Sequence, residues 1–98
     1  MANLQYTVFE DAAAVALGSP LQENVIAIGA TSAAGDAIVG DTRRPRRVRI
    51  MCEAKAYVTW GATPVALGDG TNGRMMGSES PEYFDLEAGW QIAVIERT

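Results

Sequence analysis

The chain has 98 residues, no histidine and a single cysteine, Cys52. Without histidine it lacks the side chain that most often serves as general base or metal ligand near neutral pH. With one cysteine it can form no internal disulfide and no zinc site of paired cysteines, so it does not belong with the stapled secreted scaffolds. Signatures of the phosphate loop, the nucleophile elbow and the zinc-protease helix are also missing. Glu79 and Glu82 flank a turn, but no two carboxylates are spaced to fix both in one cleft, as glycosidase chemistry requires. The expectation is a non-enzyme with no catalytic residue, cofactor, metal or small-molecule substrate.

Three further scarcities narrow the class. No apolar run approaches the ~20 residues that a membrane-crossing helix needs. The opening MANLQYTVFED has no basic segment followed by an apolar one, so no secretory signal is expected. The expected setting is the cytosol, or a particle assembled in it. Aromatics are few, with two tryptophans, three tyrosines and two phenylalanines. Aliphatic side chains and alanine must therefore supply most of the core.

What is present reads as one folded domain spanning residues 1–98. Apolar residues make up 48% and charged residues 20%, a globular rather than a disordered balance. Net charge is −4, and residues 1–42 carry five acidic side chains and no basic one. Arg43, Arg44, Arg46, Arg47 and Arg49 then arrive within seven positions. One reading makes them a solvated strand edge guarded by charge. The other makes them an electrostatic contact with an acidic partner or a neighbouring subunit. No aromatics interleave with them and the chain is acidic overall, so nucleic acid is not the expected partner.

Hydrophobic periodicity marks strands joined by turns. Residues 46–53 alternate, with Val48, Ile50 and Cys52 on one side and Arg47, Arg49 and Met51 on the other. Residues 55–60 alternate again, with Ala56, Val58 and Trp60 together. The link at Glu53-Ala54 reads equally as a tight hairpin or as a bulge in one longer strand. Residues 23–29, 82–86 and 90–96 have strand length and composition, and 90–96 reads as a central strand covered on both sides. Short strands are expected at Ile38-Val39, Pro64–Leu67 and Arg74–Met76. Residues 6–17 are ambiguous between helix and strand; the expectation is an extended arm over 1–12 and a strand at 13–17. The Gly68–Gly73 run GDGTNG reads as a surface turn, because a calcium loop needs more convergent oxygens.

The sum is an all-β fold, a single antiparallel β-sandwich or jelly-roll-like domain of seven to eight short strands. Trp60, Phe84 and Trp90 are the expected core anchors, and Cys52 is expected to pack rather than react. Met75 and Met76, adjacent in a strand, face opposite ways, so at least one is expected at a surface. With the five arginines they form the expected partner interface.

Three segments carry a resemblance. RVRI, six residues, then YVTWGATPVA, a Gly-rich loop and EYFDLEAGWQIAVIER form one arrangement; IAIGATSAAGDAI lies upstream. Together, over roughly residues 24–97, they resemble small virion structural proteins of tailed bacteriophages. The resemblance implies a β-sandwich structural protein of the capsid decoration or cement type. It further implies a dimer or trimer whose partners are the major capsid protein or other virion proteins. Localisation would be the virion, assembled in the host cytoplasm, with no membrane and no nucleic acid contacted. A neck, tail or baseplate component is the alternative, and a carbohydrate-binding β-sandwich module a more distant one. No catalytic residue is carried over.

Overall fold

A computed structural model describes residues 2–40, 45–69 and 71–97. The elements in order are β1 (Asn3–Phe9), α1 (Ala12–Leu17), β2 (Gln22–Ala27), β3 (Ala33–Ala34), β4 (Pro45–Cys52), β5 (Ala56–Gly61), β6 (Arg74–Met76), β7 (Glu82–Glu87) and β8 (Gln91–Glu96). Two four-stranded sheets pack as a sandwich, in the order β2-β1-β4-β7 in the first and β3-β8-β5-β6 in the second. Neighbouring strands within each sheet run antiparallel.

Period-two alternation builds the core. From the first sheet, Leu4, Tyr6 and Val8 of β1, Val48, Ile50 and Cys52 of β4, and Leu86 of β7 turn inward and are buried. Ala56 and Val58 of β5, Met76 of β6, and Ile92 and Val94 of β8 meet them from the second. Each large aliphatic side chain removed from water this way contributes roughly 1.5–3 kcal/mol. Trp60, Phe84 and Trp90 are only partly buried and pack against this cluster from its margin. The bulkiest fully buried side chain is Tyr6.

Several local expectations are corrected. Residues 3–9 are not a free arm: β1 is an interior strand, paired with β2 on one side and β4 on the other. Residues 13–17 are helical rather than extended. Asp11 caps α1 by accepting from the Ala14 N–H at 2.9 Å, and Gly18 ends it at φ 67°, where a side chain would be strained. No residue of this helix is buried, so Val15 and Leu17 had no strand face to fill and alanine propensity prevailed.

The link between β4 and β5 is neither a hairpin nor a bulge. The chain leaves the first sheet at Cys52 and enters the second at Ala56. Both alternating runs thereby aim inward from opposite layers. The Glu53 N–H donates to the Asn3 carbonyl at 2.8 Å, and its Oε1 accepts from the Asn3 N–H at 2.7 Å, which holds the corner. No strand forms at Ile38-Val39 or Pro64–Leu67; β3 falls at Ala33–Ala34 instead. Ile38 still exchanges backbone hydrogen bonds with the β7–β8 turn, its N–H to the Trp90 carbonyl and its carbonyl from the Gly89 N–H.

Side chains sew the flank where β2 faces β3. The Tyr6 hydroxyl donates to the Asp36 carbonyl at 2.8 Å and accepts from Asn24 Nδ2 at 3.1 Å. The Gln22 amide donates to the Ala37 carbonyl at 3.1 Å and accepts from the Val39 N–H at 3.0 Å. Gly35 leaves the space this needs, since a Cβ there would come within 2.7 Å of the Tyr6 hydroxyl oxygen.

Candidate partner-binding faces

The arginine strand divides once β4 is in place. Arg43 and Arg44 lie outside the described residues. Arg46 does not join the outer stripe, because it shares the inward side of β4 with Val48 and Ile50. Its guanidinium lies against Gly40, and its Nε is buried with no hydrogen-bond partner among the described residues. Arg47 points outward and is paired, its Nε 2.7 Å from Oδ1 of Asp85, the residue opposite it on β7. Arg49 also points outward, and its guanidinium donates to the Met51 sulfur at 4.0 Å. Among the described residues it has no carboxylate partner.

The outer face of the first sheet can be read row by row from the register. One row runs Val25, Gln5, Met51 across β2, β1 and β4. The next runs Glu23, Thr7, Arg49, Tyr83, ending on β7. Val25 is 60% exposed and Tyr83 45%. At the far end of the face α1 packs back against β1. Phe9, which alternation turns outward there, is buried.

The outer face of the second sheet has a different character. Met75, Tyr57 and Ile95 form one cross-strand row over β6, β5 and β8. Met75 is 61% exposed. Met76 is instead fully buried in the core, so it leaves the expected interface. The loop after β5, over residues 62–69, folds back across this face. The Ala66 N–H donates to Ser32 Oγ at 2.9 Å, just before β3, and Gly68 lies beside Ile95. Beneath it Ala93, outward by alternation, is fully buried, while Val65 and Leu67 remain exposed beside the row.

That loop closes on itself. The Asp69 carboxylate accepts from the Thr71 N–H at 3.0 Å and the Thr71 hydroxyl at 2.9 Å, which hold its carboxyl below the ordinary range. Asn72 donates to the Val65 carbonyl and accepts from the Leu67 N–H. Its oxygens are thus engaged within the turn.

An open cleft of about 860 Å³ lies on the flank between β6 and β7, lined by Trp60, Phe84, Arg74, Met75 and Asn72 among others. The Trp60 and Phe84 rings sit 4.7 Å apart, tilted by 45°. Arg74 lies 5.5 Å from the Phe84 ring centre and donates from Nε to Glu82 Oε1 at 2.9 Å. Trp60 therefore leans on its neighbour rather than offering a free platform.

Cys52 is buried, and its thiol is pushed up to about 11, first by burial and then by the negative charge of Glu82. Tyr6 is raised as well, chiefly by burial. Among the described residues no three acidic, cysteine or histidine side chains converge where they could hold a metal ion.

Sequence reasoning missed two features of these faces. Glu23 and Val25 were legible as outward positions of β2, but their neighbours on β1 were hidden by the arm expected there. The cover over Ala93 had no signal, because it is a loop held by one serine. Comparison of the chain with protein-family models, with curated proteins and with solved structures finds no match.

Proposed function

We propose that this chain is a non-enzymatic structural protein of a tailed-bacteriophage virion. In this reading it is a capsid decoration or cement protein that binds the outer surface of the head and stabilises it. Its partners are the major capsid protein and further copies of itself. The observation that carries the reading is the outward apolar row Met75–Tyr57–Ile95, open at Met75 and half-buried at Tyr57 and Ile95, bordered by the exposed Val65 and Leu67. It sits on a rigid sandwich whose other outer face carries charge. Contiguous exposed apolar surface marks an interaction site, and two faces of different chemistry let one small domain hold two neighbours. Repetition over a shell turns modest single contacts into a stable coat. The resemblance over residues 24–97 supplies the identity of the shell.

A carbohydrate-binding role has less support, because Trp60 is stacked on Phe84 and the polar groups of Asn72 are taken up by its own loop. The test is rebinding. Capsids assembled without this chain are incubated with the purified protein and sedimented. Saturation at a fixed copy number per capsomer supports the decoration role, and Met75→Glu should then weaken rebinding at least tenfold. Absence of the chain from the pellet overturns it. A few copies per particle, located at the tail vertex, would replace it with the neck or tail reading.

A further inference from the structure

We infer that the outer face of the first sheet is the contact between two copies of this chain, related by a two-fold axis running along β1. The inference concerns the free protein and goes beyond the virion reading. It rests on the order of groups across the face. Glu23 and Arg49 both stand opposite Thr7, one on each side of β1. They are roughly 10 Å apart, two strand spacings, and neither has an ionic partner among the described residues. In the adjacent row Val25 and Met51 stand on either side of Gln5 in the same way.

A two-fold axis in the plane of the interface, lying over β1, exchanges the two sides of that strand. Glu23 of each copy then meets Arg49 of the other, and Val25 of each meets Met51 of the other. Thr7 and Gln5 face their own counterparts. Both ion pairs and both apolar contacts form at once, so the surface is complementary to itself, as a two-fold interface must be. Arg47 does not compete, because Asp85 already holds it. Two sheets packed face to face with their strands within about 30° of one another are an ordinary arrangement. The packing of α1 against β1 bounds the contact at the Phe9 end of the face.

Charge exchange tests the geometry directly. The full chain at micromolar concentration should sediment as a dimer that weakens with salt. Glu23→Arg places two like-charged pairs in the contact, and so does Arg49→Glu. Each should raise the dimer dissociation constant about a hundredfold or more. An equimolar mixture of the two variants should recover a dimer, now a heterodimer, and the chain carrying both exchanges should recover a homodimer. These recoveries also show that each variant is folded. A wild-type chain that stays monomeric at hundreds of micromolar overturns the inference. So does a single exchange that leaves the dimer intact, or a mixture that fails to restore it. Capsid binding is measured separately: a monomer that still saturates capsids sinks this inference alone, and a dimer that never binds them sinks the virion reading alone.

Discussion

The outer faces of the two sheets start from the same rule and end differently. On the first sheet alternation sends Gln5, Thr7, Glu23, Arg49 and Tyr83 outward, and they stay at the surface as a mixed polar face. On the second the same rule sends out Tyr57, Ile95, Met75 and Ala93. There a loop crosses the face, so Ala93 is sealed and an apolar row is left beside it. The parity of a strand position decides which way a side chain points, but only the segments laid over it decide whether it meets water. Outward residues of this protein are therefore of three kinds: polar or charged and open, apolar and open, and covered.

Substitutions can break that contrast, the largest effect first. Met76→Glu puts an unpaired carboxylate into the core and should cost about 3 kcal/mol or more in urea denaturation. Met75→Glu, one residue away on the open face, should change stability by no more than about 0.5 kcal/mol. Equal losses at both positions would mean that the second sheet has no open row. A second measurement addresses the inward layer between the faces. The Cys52 thiol titrates near 11 when folded, above its ordinary value of 9.0. The unfolded chain therefore loses that proton first as pH rises, so this stability is complete below pH 9 and declines between 9 and 11. Tyr6, also raised by burial, acts in the same direction. Denaturation midpoints across this window should fall, and Cys52→Ala should flatten part of the decline.

The covered position offers a third test. Ala93→Leu must displace the loop and should cost about 1–3 kcal/mol. Thr7→Leu, equally outward on the first sheet, should stay within about 0.5 kcal/mol. Hydrogen exchange at the Ala66 amide should speed up in the first variant and not in the second. The smallest effect belongs to Arg47→Ala. Its pair with Asp85 is largely solvent-exposed, so the loss should not exceed about 1 kcal/mol.

Much of the sandwich was legible because burial imposes a period on strands that face water on one side. Val48-Ile50-Cys52 and Phe84-Leu86 declared their inward rows without reference to anything distant. Residues 90–96 declared themselves a central strand by lacking a polar face, and Ile92, Ala93 and Val94 are indeed all buried. What was illegible depended on partners far along the chain. Tyr6 reads as an ordinary aromatic until Asn24 and Asp36 are brought to its hydroxyl. The sheet change at Glu53–Lys55 leaves no local mark, since two consecutive alternating runs look alike whether or not they pair. The arginine cluster failed as a unit for the same reason. Adjacent positions on a strand cannot share a face, so Arg46 went inward and Arg47 and Arg49 outward.

The position of β8 bears on how the protein is made. It is the last strand in chain order, yet it stands inside the second sheet, joining β3 to β5. During synthesis β3 and β5 therefore have no ladder between them until residues near 96 have left the ribosome. The first sheet differs, since β1 pairs with β2 and β4 without β8 and only the edge strand β7 is added late. The second layer therefore closes only through a late non-local pairing, and such pairings are slow. In that interval the edge of β5 that β8 will cover is open, which favours association with other nascent chains. The arrival of residues 91–96 then becomes the control point between a folded pool and an aggregated one.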